Sequence, residues 1–508
     1  MKLFLIIGYL FLVISLFLFA FNKKQNVQLV LLLIGSFCIF LAYIFLDPFL
    51  NVWDERFHAL VAKNLMSNPL TPSLYPEICL TSVGYNHWVN DYIWLHKQPL
   101  FLWQIALSYK IFGVNEYALR IPSLLMSTAL VYIFYATGKL LQSHKLGYIM
   151  ALILASNYCI GSLMSGNTGM EHNDIAFLFY ISLSIYLVAK NCLNEERQNA
   201  VLIGFVIGLA VLTKWLVGLI GFAIWTMYLI QEFVAERKIN YFKIFNFIIA
   251  FIVCLITFLP WQFYIFDKFP TEALREQLFN MKHFTEVIEN HDGDSFYYID
   301  GLNVLFGRFN PMLIFMGIYF LILSKKLLRI KIALLLGAVL VFVFFTIAKT
   351  KMPMYTFSIS ISLILFLAFA YIKVYNLARF HLNGIFVAIL FSIVILFNIN
   401  PKKLTRTHSE FSNYWKDMME NTKLYKSIKL DPNEKAIVFN CRGFHYVDVM
   451  FYNENTIAYN FIPSKEQIAE SNSKNRKIYI FNKDSLPEYI RLDPNISIIQ
   501  GQERSTAD

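Results

Sequence analysis

Twelve apolar runs mark the first 400 residues, at 3–21, 27–46, 118–141, 146–164, 175–189, 200–212, 215–230, 244–266, 302–323, 332–347, 355–372 and 384–397. The hydrocarbon core of a bilayer takes about 20 helical residues, so each run is of spanning or near-spanning length and predicts a membrane-crossing helix. The polar stretches between runs are short, apart from two long ones at 47–117 and 267–301. Beyond Phe397 the pattern changes: 435–440, 456–460 and 477–481 alternate or cluster like short strands, with a helix-like stretch at 464–471 between the last two. The expected architecture is an α-helical polytopic membrane protein of about twelve transmembrane helices over 1–400, followed by a small α/β domain at 401–508.

Charge orients these spans. Alternating the runs across a membrane places Lys23 and Lys24, Lys139 and Lys145, Lys190 and Arg197, Arg237, Lys238 and Lys243, Lys325, Lys326, Arg329 and Lys331, and Lys373 and Arg379 on one side. By the positive-inside rule that side is cytoplasmic. The two long loops, rich in acids such as Asp54, Glu55, Asp91, Glu276, Asp292 and Asp294, then face outward together with the C-terminal domain.

The composition agrees: 57% of the 508 residues are hydrophobic and 15% charged, more apolar surface than one soluble core hides. Mapped this way, the net charge of +10 belongs to cytoplasmic links beside lipid and does not argue for nucleic acid. The run 3–21 lacks a small-residue cleavage site and is followed by Lys23 and Lys24, so it reads as a retained span. Six scattered cysteines form neither a disulfide framework nor a zinc-finger spacing, and only Cys79 and Cys441 are placed to meet outside the membrane.

The first outer loop carries the densest chemistry. It opens on Trp53-Asp54-Glu55-Arg56-Phe57-His58, and Phe57, Leu60, Val61 and Leu65 follow at helical spacing. The pattern predicts an amphipathic helix on the membrane surface with an acidic pair at its N-terminus. Two readings of Asp54 and Glu55 stand side by side: complements to the helix dipole, or carboxylates that take a proton from a hydroxyl beside a lipid-borne substrate. Further on, Lys97 in His96-Lys97-Gln98-Pro99-Leu100 either snorkels at the boundary or pairs with a lipid phosphate.

These pieces form an ordered series with Phe112-Gly113-Val114-Asn115-Glu116, Arg120-Ile121-Pro122-Ser123, Asp174, Gly208-Leu209-Ala210-Val211-Leu212-Thr213-Lys214, Leu259-Pro260-Trp261 and Lys349-Thr350-Lys351-Met352-Pro353-Met354-Tyr355. The series resembles the polyprenyl-phosphate-sugar-dependent glycosyltransferases of the GT-C class, which include bacterial aminoarabinose transferases and protein O-mannosyltransferases. The resemblance extends over about the first 370 residues. It departs from the family at Gln98-Pro99, where a double proline is common, and at Trp215, where a glycine is common.

The resemblance implies a GT-C-like fold and a sugar donor joined through one phosphate to a long isoprenoid. It implies Asp54 as the main catalytic carboxylate, Glu55 in support and Asp174 as a second acid. Lys97, Lys214, Lys349 and Lys351 are the candidates for neutralising the donor phosphate, which then departs as a monoester without a general acid. A divalent metal ion between His96 and His283 is a further implication, set against ordinary hydrogen-bonded loop histidines. Trp88, Trp94, Tyr297 and Tyr298 are either sugar-stacking or interfacial aromatics.

The expected partners are the lipid-linked donor, a lipid, glycan or protein acceptor, and membrane lipids, and the expected location is the cell inner membrane, with the site and C-terminal domain facing the periplasm. The competing class, a polytopic lipid-linked-sugar flippase or transporter, places its ionisable residues along a path within the spans.

Overall fold

The computed structural model describes residues 1–508 apart from 168–170, 195–196, 308–309, 382, 388, 391–392, 394–411, 429, 431–432, 484 and 505–508. In chain order the helices are α1 (Lys2–Ala20), α2 (Gln25–Ile44), α3 (Asp54–Leu65), α4 (Leu100–Phe112), α5 (Glu116–Leu141), α6 (His144–Ala155), α7 (Tyr158–Met164), α8 (Glu171–Asn194) and α9 (Arg197–Lys214). After a 3-10 turn (Trp215–Leu219) come α10 (Ile220–Glu236), α11 (Tyr241–Lys268), α12 (Pro270–Thr285), α13 (Tyr297–Phe306), α14 (Asn310–Leu323), α15 (Leu328–Ile347), α16 (Met354–Phe357) and α17 (Ser360–His381). The C-terminal part runs α18 (Asn413–Ser427), β1 (Ala436–Phe439), α19 (Tyr446–Tyr452), β2 (Thr456–Ala458), α20 (Lys465–Ser473), β3 (Lys477–Phe481), α21 (Glu488–Arg491) and β4 (Ile496–Ile499).

The chain forms two compact units. The first comprises Met1–Ile44, Ser123–Met164 and His172–Asn400, and the second Phe45–Pro122, Ser165–Glu171 and Pro401–Asp508. Among the described residues, eight helical stretches are long and apolar enough to cross a membrane, or ten if each of two bent pairs, α6 with α7 and α13 with α14, is one span. The chain is a multi-pass membrane protein. The expected runs 200–212 and 215–230 fall within one 38-residue stretch, Asn199–Glu236. That stretch is not one rod: Trp215 has φ +60, and the Cβ position of Gly218 lies 2.6–2.7 Å from the backbone of Ala210 and Val211. The chain therefore folds back on α9 just past Lys214. The last expected run, 384–397, lies partly outside the described residues.

Within the first unit, apolar helices pack through small residues, as expected where lipid supplies no hydrophobic drive between them. A Cβ at Gly8 of α1 would lie 2.9 Å from the carbonyl of Gly35 on α2, so the two backbones approach as only glycines permit.

In the second unit, β1 pairs in parallel with β2 and β3, and β3 with β4, giving the order β2-β1-β3-β4. All three expected strands are present. A fourth, Ile496–Ile499, lies between Asp493-Pro494-Asn495 and Gly501. The helix expected over 464–471 is α20.

The first long loop does form a helix, α3, with Phe57, Leu60, Val61 and Leu65 buried. Its other face is buried too, Arg56, His58, Ala59 and Ala62 included, so it is not a helix lying on the membrane surface. Protein covers it: α4 and α19 pack against it.

Candidate functional site

In the second unit, Trp53 precedes α3 with φ +66, which turns the chain sharply so that Asp54 is the first helical residue. Asp54 Oδ1 lies 3.7 Å from Lys97 Nζ, and the two side chains retain 15% and 12% of their exposure. A carboxylate and an ammonium thus sit together in a sheltered spot that still reaches solvent. The ring of His96 stacks on Trp88 with centroids 4.8 Å apart and meets Trp94 edge-on.

Glu55 is placed differently. It is fully buried and receives Arg120 Nε at 2.7 Å, Arg120 Nη2 at 3.0 Å and the Asn51 amide at 2.6 Å. Arg120, also fully buried, donates through Nη1 to the Asp47 carbonyl at 2.5 Å and through Nη2 to the Phe49 carbonyl at 2.8 Å. One guanidinium therefore ties down the segment 47–55 that leads into Asp54. Gly166, at φ +71, lies so close to Glu55 that a Cβ would strike its carboxylate. Both carboxylate oxygens of Glu55, expected in support of Asp54, are thus engaged in hydrogen bonds away from solvent. Asp47 belongs to the same network, and burial pushes its carboxyl pKa up to about 6 against the pull of Arg120 and Asn51.

The first unit holds the other expected residues. Lys214, at the end of α9, donates to Asp174 Oδ1 at 2.5 Å, and its ammonium lies 5.5 Å from the centre of the Tyr355 ring. Asp174 and Lys214 thus form a pair near the ends of their helices, where an acid beside apolar surroundings needs a partner. The segment after α15 is stitched to the second long loop by Lys349 N–H to the Phe284 carbonyl at 3.2 Å, Thr350 N–H to the His283 carbonyl at 3.0 Å and Lys351 N–H to the His291 carbonyl at 2.9 Å.

The two lysines of this segment part company. Lys351 is buried and donates to the carbonyls of Thr346 at 2.8 Å and Ala348 at 3.1 Å, at the C-terminus of α15. Burial and the charge of Lys349 push its pKa down. Two of its three N–H donors thus go to carbonyls at the end of α15. Lys349 is exposed.

His96 and His283 lie in different units, and the ring of His283 meets Phe279 edge-on at 5.2 Å. Among the described residues no three or more His, Cys, Asp or Glu side chains are grouped to hold a metal ion. Trp94 and Tyr298 are buried, with the Trp94 indole N–H on the Trp88 carbonyl at 2.8 Å. All six cysteines are free thiols.

Arg120 belongs to the Arg120-Ile121-Pro122-Ser123 stretch of the motif series, where no role is expected of it. An arginine at the edge of the run 118–141 calls for a buried acid, but spacing along the chain does not single out Glu55, since Glu77, Asp91 and Glu116 lie nearer in sequence.

The architecture defines a polytopic membrane protein of GT-C type, the fold expected from the sequence. Residues 96–264 match the family described as dolichyl-phosphate-mannose-protein mannosyltransferase. The fold is shared with ArnT from Cupriavidus metallidurans, whose crystal structure bound to undecaprenyl phosphate superposes with a TM-score of 0.64 over 87% of both chains at 14% identity. It is also shared with the archaeal oligosaccharyltransferase AglB from Archaeoglobus fulgidus in complex with an inhibitory peptide and a dolichol-phosphate, at a TM-score of 0.54, 14% identity, 88% of this chain and 68% of that one.

By sequence, an uncharacterized protein of Aquifex aeolicus (strain VF5) is 29% identical over 167 residues, 32% of this chain and 30% of the relative. The undecaprenyl phosphate-alpha-4-amino-4-deoxy-L-arabinose arabinosyl transferase of Pseudomonas paraeruginosa (strain DSM 24068 / PA7) is 22% identical over 259 residues, 47% of this chain and 40% of the relative. The matched stretch thus spans less than half the length of these curated relatives.

Proposed function

We propose that this protein is a glycosyltransferase that moves one sugar from a polyprenyl-phosphate donor to a lipid, glycan or protein acceptor, with inversion at the anomeric carbon. The observation that carries the reading is the contrast within the acidic pair: Glu55 is buried against Arg120, while Asp54 keeps access to solvent beside Lys97. One carboxylate is held and the other is available for chemistry.

Asp54 takes the proton of the acceptor hydroxyl or amine as that atom attacks the anomeric carbon. The bond from that carbon to the phosphate oxygen breaks, and the polyprenyl phosphate leaves with both electrons. Lys97 turns from Asp54 to the phosphate and offsets the charge that develops there. Glu55 and Lys351 act through the segments they fix. The reading places 1–400 as the membrane catalytic domain and 401–508 as a soluble domain, both presenting their chemistry on the periplasmic side of the inner membrane. The basic links at Lys23, Lys139, Lys238 and Lys325 support that orientation.

The experiment is transfer by purified Asp54→Asn with defined polyprenyl-phosphate sugars. Loss of a general base of this kind lowers turnover by about 10²–10⁴-fold. Retained donor binding with that loss supports the assignment, and unchanged transfer removes it.

A further inference from the structure

The C-terminal sheet has a feature that sugar transfer does not use. In the order β2-β1-β3-β4 the chain leaves β1 toward one side through α19 and returns past it through α20 to reach β3. With right-handed crossovers this puts the connecting helices on opposite faces and opens a crevice between the carboxyl ends of β1 and β3, the place where open parallel sheets bind ligands. The two strand ends adjoin there: Asn440, just after β1, donates through Nδ2 to the carbonyl of Phe481, the last residue of β3.

The crevice holds a carboxylate of the chain itself. Glu503 accepts the Arg442 N–H at 2.7 Å through one oxygen and the Tyr425 hydroxyl at 2.9 Å through the other, with His445 and Lys483 as its favourable charged neighbours. It is 7% exposed. Burying a carboxylate is costly unless donors stand ready for both oxygens, so the donors form a cradle for an oxyanion whoever supplies it. Anchoring the tail does not require this. Arg504 and Asn421 already make a reciprocal pair, Arg504 N–H to Asn421 Oδ1 at 2.7 Å and Asn421 Nδ2 to the Arg504 carbonyl at 3.2 Å.

We propose that this crevice is a binding site for a small ligand carrying a carboxylate or a phosphate, and that Glu503 is its built-in competitor, vacating the cradle when the ligand arrives. Self-occupancy lowers the apparent affinity by the fraction of molecules with the cradle open, and removing the competitor restores it.

The test is calorimetric titration of the full-length protein in detergent with D-glucuronate and, separately, with glucose 1-phosphate, which distinguishes a carboxylate ligand from a phosphate one. Glu503→Ala should bind at least one probe about tenfold more tightly than the unaltered protein. Glu503→Gln, which keeps the cradle filled, should not. Adding Tyr425→Phe to Glu503→Ala should abolish the gain. Folded Glu503→Ala that binds both probes no better than the unaltered protein overturns the proposal. If Glu503→Ala fails to fold, hydrogen exchange on the unaltered protein decides. Either probe should loosen 501–504 and protect 440–445, and unchanged exchange in both segments overturns it.

Discussion

Arg120→Met removes the buried guanidinium and leaves a side chain of similar length. Glu55, fully buried, then keeps only the Asn51 amide among the contacts described above, and the carbonyls of Asp47 and Phe49 each lose a donor. Breaking a buried ion pair from one side costs about 3–5 kcal/mol, most of it the penalty of the stranded charge. Each orphaned carbonyl adds about 1–3 kcal/mol if water does not reach it. The loss should be local, so hydrogen exchange over 47–65 should rise toward that of an open loop while exchange in α9 and α11 stays unchanged.

The double variant Arg120→Met/Glu55→Leu separates charge from packing. With the stranded carboxylate gone it should regain about 2–3 kcal/mol over the single variant, and the two carbonyls account for what is not recovered. Sugar transfer should fall in the single variant with Asp54 intact and return in part in the double. A single variant that costs under about 1 kcal/mol, or a double no more stable than the single, refutes the claim that this ion pair holds the segment before Asp54.

Asp47 gives a pH signature. Its folded pKa is raised from 3.8 to about 6, so the folded state binds the proton more tightly and stability falls as pH rises from about 4 to 6. The charged form then costs up to about 3 kcal/mol at neutral pH. Asp47→Asn should stabilise the 47–65 region at pH 7, with the gain vanishing near pH 4, and hydrogen exchange at the two pH values checks it. Gly166→Ala forces a β-carbon onto the Glu55 carboxylate at φ +71 and should cost about 1–3 kcal/mol, read as lowered thermal stability. Lys214→Met takes the ammonium away from Asp174, which is 4% exposed, and should destabilise by about 3–5 kcal/mol, while Asp174→Leu/Lys214→Met should be milder. Equal melting temperatures for those two variants contradict a buried pair.

The sequence alone determined the membrane character and most of the apolar helices, because a run of about 20 apolar residues has no other stable solvent. It also determined three strands of the small sheet and the position of the Asp54 helix, whose periodicity is local information. What it left open was which member of each charged set is free to act. Asp54 and Glu55 are adjacent and chemically alike, as are Lys349 and Lys351, and spacing does not separate them. The tertiary structure does so through partners distant in sequence: Arg120 claims Glu55, the carbonyls ending α15 claim Lys351, and Asp174 claims Lys214. The physical reason is desolvation. A charge removed from water must find its counterpart wherever the fold brings one, and the fold, not the neighbouring residues, selects it.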